Sequence, residues 1–86
     1  MEFEFDPAKS VSNLEKHGID FDAIQAIWQD VMRIEIPART TDEPRSLVVG
    51  QIDGKHWSVV VTHRGDRVRI ISARRSRKEE VALYEG

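Results

Sequence analysis

Cysteine is absent from this 86-residue chain, which removes disulfides and thiolate metal ligands and suits a reducing cytoplasm. Aromatic residues make up only 7 % of it, and prolines number three. No apolar run approaches the roughly 18 residues of a membrane helix. The acidic start Glu2-Phe3-Glu4-Phe5-Asp6 lacks the basic-then-apolar order of a signal peptide. The expectation is a soluble, cytoplasmic protein with no membrane partner. Internal repeats and low-complexity tracts are missing, and the one long turn-rich piece runs from Pro37 to Arg45. With 40 % apolar residues the chain can build one modest core, so residues 1–86 are expected to form a single domain.

Several chemistries also lack their signatures. His17, His56 and His63 show neither HxxxH spacing nor a His–acid cluster, so no metal or other cofactor is expected. No P-loop, GxGxxG or nucleophile elbow is present.

What the chain does have is charge asymmetry. Between Arg64 and Lys78 stand seven Lys or Arg and one Asp, a formal +6, whereas the remaining residues carry six basic and fourteen acidic groups, −8. Phosphates respond to such a local field within roughly 10 Å at ordinary salt whatever the net charge. Nucleic acid is therefore the first partner to consider.

Hydrophobic periodicity orders the elements. Glu2 to Phe5 alternates as a short strand. Asp6-Pro7 has the chemistry of a helix start, and Gly18 after Lys16-His17 that of a helix stop. Helix one is thus expected over Pro7 to His17, with Ala8, Val11 and Leu14 as a narrow apolar stripe. Asp20 caps a second helix, whose Phe21, Ile24, Ile27 and Trp28 recur at helical spacing. From Val31 the period becomes two, and Pro37 closes that strand. Ser46 to Ile52 and Lys55 to His63 read as strands around an Asp53-Gly54 hairpin turn. Trp57, Val59 and Val61 share one face; Ser58, Val60 and Thr62 share the other. Gly65-Asp66 turns the chain into a last strand, Arg67 to Ala73, and Ser76 caps a closing helix with Glu79 and Glu80 in its first turn. The order β-α-α-β-β-β-β-α predicts an α+β domain with helices packed on one face of an antiparallel sheet.

Phe5-Asp6-Pro7-Ala8-Lys9, Asn13, Lys16-His17-Gly18 and Phe21 open the chain; Arg64-Gly65-Asp66, Arg69-Ile70-Ile71-Ser72-Ala73-Arg74-Arg75, Glu80 and Tyr84 close it. In these residues and their order the chain resembles the BrnT family of bacterial type II toxins. The end at Gly86, just after Tyr84-Glu85, fits the family's usual finish. Arg77 stands where the family usually has a small hydroxyl residue. The resemblance implies a RelE-like fold and a ribonuclease that blocks translation. It also implies a BrnA-like ribbon-helix-helix antitoxin, two toxin copies around an antitoxin dimer, and repression of operator DNA through the antitoxin.

Metal-free RNA cleavage needs a base for the ribose 2′-hydroxyl, positive charge at the phosphate and an acid for the leaving oxygen. Arg64, Arg74 and Arg75 are the candidates to converge on one phosphate with their planar forks. Glu80 and Tyr84, four residues apart, share a helix face, where a carboxylate can orient a phenol. Arg64, Arg74, Glu80 and Tyr84 are thus the catalytic candidates. His63, Arg67, Arg69, Arg75, Arg77 and Lys78 are the candidates to bind RNA. Plainer readings stand beside these: Arg67 and Arg69 as a solvated face, Glu80 as an ion-pair partner, Tyr84 as a cover for the core edge, and Trp28 and Trp57 as core or interface rather than platforms for stacked bases. Lys9 and Lys16 either contact RNA or pair with the fold's own acids. A binding module that docks an antitoxin without catalysis is the alternative.

Overall fold

In the computed structural model, which describes residues 1–38 and 43–86, the expected element order is found. β1 (Glu2–Glu4) leads to α1 (Pro7–His17), a 3₁₀ helix (Ala23–Gln29), β2 (Ile34–Ala38), β3 (Arg45–Ile52), β4 (Lys55–Arg64), β5 (Arg67–Arg75) and α2 (Lys78–Glu85). Much of the turn-rich piece, residues 39–42, lies outside the described residues. No described helix is long and apolar enough to cross a membrane.

Local chemistry sets most boundaries. The Asp6 carboxylate accepts the Ala8 N–H at 2.9 Å, and Gly18, at φ 80°, stops α1 while its N–H donates to the Leu14 carbonyl. Asp20 accepts the Ala23 N–H at 2.7 Å, although the turns that follow are 3₁₀ rather than α. Asp53 and Gly54 both have positive φ, the geometry of a two-residue hairpin turn whose twist matches its strands. Pro37 does not close its strand: it lies within β2, opposite Ser46. An edge strand tolerates the missing N–H.

The sheet runs β1-β5-β4-β3-β2, antiparallel from β2 to β5, but β1 joins β5 in parallel, Glu2 opposite Arg67 and Glu4 opposite Arg69. The wholly antiparallel expectation fails there because no short turn links β1 to its neighbour. One face packs Val48, Trp57, Val59, Val61, Val68, Ile70 and Ala73 against Ile19, Phe21, Ile24 and Ile27. Phe5 meets Phe21, and Phe3 meets Trp28, edge to face. The plain reading of the tryptophans holds: Trp57 is in this core and Trp28 packs on its margin.

Helix α1 contradicts its stripe. Val11 is 61 % and Leu14 48 % exposed, and the helix instead buries Ser10 and Asn13. The Ser10 hydroxyl accepts the Phe21 N–H at 2.9 Å. Asn13 donates to the Ile19 and Ala73 carbonyls and accepts the Ala73 N–H. Its amide pairs both backbone groups of Ala73, as a neighbouring strand would, just where β1 has ended. Buried backbone groups must find partners, and that need outranks the apolar spacing.

Candidate nucleic-acid interface

The site is organised by a bulge. Val60 pairs with Ser72 but Val61 with Ile70, leaving Ile71 as an extra residue of β5. One extra residue inverts the alternation of side chains. Val68 and Ile70 face the core before the bulge and Ala73 faces it afterwards. By the same count Arg67 and Arg69 share the opposite face with Ser72 and Arg74, and Arg64 joins them as the cross-strand partner of Arg67. Arg75 is sent to the core side, its guanidinium carbon 5.5 Å from the Trp57 ring centre and its Nε–H on the His56 carbonyl.

The arginines share a face without meeting. Arg64 lies six residues beyond Ser58, the partner of Arg74, or roughly 20 Å at about 3.3 Å per strand residue. Arg64, Arg74 and Arg75 therefore do not converge on one phosphate as the sequence had implied. At the hairpin end the charges are loosely held: Arg64 is 3.6 Å from Glu43, and Arg67 is 3.9 and 4.0 Å from Glu2 and Glu4. Arg69 is held more firmly, 2.9 Å from Glu4. Arg77 and Lys78 are exposed.

At the other end α2 reaches the same face through Glu80. This buried carboxylate takes both arms of Arg74 at 2.8 and 2.7 Å, the Ser58 hydroxyl at 2.8 Å and the Arg77 N–H at 2.8 Å. The Arg74 guanidinium, foremost, holds its pKa down at about 2, with the Arg77 and Ser58 donors adding to the effect against the cost of burial. The bond to Glu80 in turn raises that of Arg74. Glu80 is thus ionised throughout the neutral range and cannot relay a proton there. Arg74 spends one Nη1–H on the Arg75 carbonyl and two N–H groups on Glu80. A guanidinium has five donors, so Nε–H and one Nη2–H are left for a ligand. Ser76 does not cap α2; its hydroxyl meets that of Ser58 at 2.8 Å, and Arg77 occupies the cap position.

Tyr84 does not pair with Glu80. Its hydroxyl donates to Asp30 at 2.6 Å, and that bond, with burial, pushes the phenol up to about 12. Burial alone would raise the Asp30 carboxyl, but the Tyr84 hydroxyl and the Gln51 and Met32 amides outweigh it and lower it. His63 sits on the core-side face of β4, 2.6 Å from Glu35 and away from the arginines. The imidazole on the face of Ser58 and Arg74 is His56, two residues before Ser58, 3.1 Å from the Gln51 amide, 3.5 Å from the Glu85 carboxylate and 5.2 Å, edge to face, from Tyr84. Sequence reading missed Asp30, His56 and Ser58. Alternation alone could have placed His56 beside Ser58; nothing local marks Asp30 as a partner of a tyrosine 54 residues away. Among the described residues no three His, Cys, Asp or Glu side chains cluster as metal ligands.

The structure is a small α+β domain with one arginine-lined sheet face, half of whose arginines are loosely paired. The chain belongs to the BrnT family: residues 5–80 match the family described as the ribonuclease toxin, BrnT, of type II toxin-antitoxin systems. An antitoxin partner is implied by that membership. No curated protein matches the chain.

Proposed function

We propose that this chain is a cytoplasmic, metal-independent endoribonuclease that arrests translation. A BrnA-like ribbon-helix-helix antitoxin neutralises it in a 2:2 assembly that grips operator DNA through the antitoxin. The nature of the partner follows the family alone. The nuclease reading is carried by the alignment of Arg64, Arg67, Arg69 and Arg74 on one face by the bulge at Ile71.

In this reading the unspent donors of Arg74 stabilise the charge that builds on the phosphate as the 2′-hydroxyl attacks, in a geometry set in advance by Glu80. Tyr84, protonated at neutral pH and bonded to Asp30, fixes α2 over that end of the face and does not act as a base. Arg64, Arg67, Arg69, Arg77 and Lys78 hold the strand on either side. Arg75 and His63, turned to the other face, contribute peripheral contacts.

The test is induced expression of wild type and Arg74→Lys, which keeps the charge but loses the fork. Translation is followed by pulse labelling and RNA integrity in the same cultures, and purified protein is assayed with and without a chelator. Arrest and RNA cleavage by wild type, insensitive to chelator and lost in the folded variant, are expected. Cleavage abolished by the chelator would refute metal independence, and equal cleavage by both proteins would refute the role of Arg74.

One observation favours a second reading: Glu80 is held ionised and Tyr84 protonated, so the face is better furnished to bind phosphate than to move protons. A non-catalytic module that docks the antitoxin as co-repressor predicts a tight complex and no cleavage by purified protein.

A further inference from the structure

The arginine face continues round the edge of β5 into a groove that the nuclease reading does not use. Because β1 pairs only with Arg67 to Arg69, the edge of β5 away from β4 has no strand neighbour beyond them, and α1 takes that place through Asn13. Between helix and strand lies a groove lined by Lys9, Ser12, Lys16, His17, Ile71 and Ser72. The helical residues fall at positions i, i+3, i+7 and i+8, so one stripe of α1 supplies them all. This is the inner stripe beside Asn13; Val11 and Leu14 lie on the other side.

Two facts point to an anionic occupant. Lys9 and Lys16 are exposed, and neither has an acidic partner within ion-pair distance among the described residues, unlike the arginines of the sheet. Pairing with the fold's own acids therefore does not account for them. The two lysines stand about 10 Å apart along the helix, at 1.5 Å per residue, so each can meet its own phosphate of one extended strand. Ser72 lines the groove and also belongs to the sheet face of Arg69 and Arg74, which makes the two surfaces continuous. The Ile71 bulge that aligns the arginines is a wall of the groove as well.

We propose that the groove between α1 and β5 is a second phosphate subsite, in which Lys9 and Lys16 hold the backbone of single-stranded RNA as it leaves the arginine face past Ser72. The proposal rests on the RNA-binding reading of that face and extends it to a part of the molecule with no role in phosphate chemistry at Arg74. Contacts to the backbone carry no base information, so the groove lengthens the footprint without narrowing the sequence cleaved.

The experiment measures fluorescence anisotropy of a labelled, fully 2′-O-methylated oligonucleotide, which lacks the attacking hydroxyl and stays intact. Wild type is compared with Lys9→Gln/Lys16→Gln and with Arg64→Gln/Arg67→Gln across a salt series. All four side chains are exposed, and circular dichroism with thermal melting confirms that the variants fold. Each single-strand phosphate contact contributes about 0.7 to the slope of log affinity against log salt, or about fivefold in affinity near 0.1 M salt. The lysine pair is expected to lower the slope by about 1.4 and the affinity by more than tenfold. If it binds as wild type does while the arginine pair is weakened, the groove is off the RNA path and the proposal falls, with the nuclease reading intact. Should wild type itself fail to bind, both fall. Loss of antitoxin binding by the lysine pair, with RNA affinity unchanged, would likewise overturn the proposal and assign the groove to the protein partner.

Discussion

Replacing Glu80 by Gln tests the node that ties α2 to the sheet. The carboxylate lies at about 2 against an ordinary 4.5, and each pKa unit is worth about 1.4 kcal/mol, so its ionised form contributes roughly 3 kcal/mol in the folded state. That is an upper figure, because the Arg74 side chain is 28 % exposed and water screens part of the pair. The sign follows from the depressed value. The contribution is complete above the unfolded pKa near 4.5 and is lost as pH falls from there towards 2. Glu80→Gln should therefore cost about 2–3 kcal/mol at pH 7, a sizeable part of the roughly 5–15 kcal/mol of a small domain, and leave Arg74 unpaired. Urea unfolding followed by tryptophan fluorescence, from pH 7 down to pH 3, reads both effects: the variant should be weaker at neutral pH and lose less on acidification. A variant within about 0.5 kcal/mol of wild type at pH 7, with the same acid profile, would refute the assignment.

The Asn13 amide satisfies three buried backbone groups, so Asn13→Ala should destabilise by about 2–4 kcal/mol, read as a fall in melting temperature; a surface-like change would show that water replaces it. A Cβ on Gly50 would come 2.7 Å from Ile27 Cγ1, so Gly50→Ala should cost about 1–3 kcal/mol, and that added cost should shrink in an Ile27→Ala background, which removes the opposing Cγ1. Tyr84→Phe removes the donor to Asp30 while leaving that carboxylate its Gln51 and Met32 amides. Hydrogen exchange should then speed up in α2 and leave β4 unchanged. The raised phenol pKa predicts that this anchor is fully present below pH 10 and is lost as pH rises towards 12, an alkaline transition that the Phe variant should lack.

What the sequence determined by itself was whatever short-range chemistry dictates. Asp6-Pro7 and Gly18 bound α1, Asp53-Gly54 turned the hairpin, and the alternation of Trp57, Val59 and Val61 with Ser58 and Thr62 sorted the faces of β4, because caps, positive φ and side-chain period act over a few residues. The concentration of arginine was equally legible. Only the tertiary structure decided which arginines stand together. The unpaired Ile71 exists by virtue of the register between β4 and β5, and it moves Arg74 to the face of Arg67 and Arg69 while sending Arg75 over Trp57. Register is a property of two strands, so no single strand announces it. The parallel docking of β1, the strand-like use of Asn13 and the bond from Tyr84 to Asp30 likewise join residues far apart in the chain. At Asn13 burial, through the demand that enclosed backbone groups find partners, overruled the apolar spacing that the local sequence displayed.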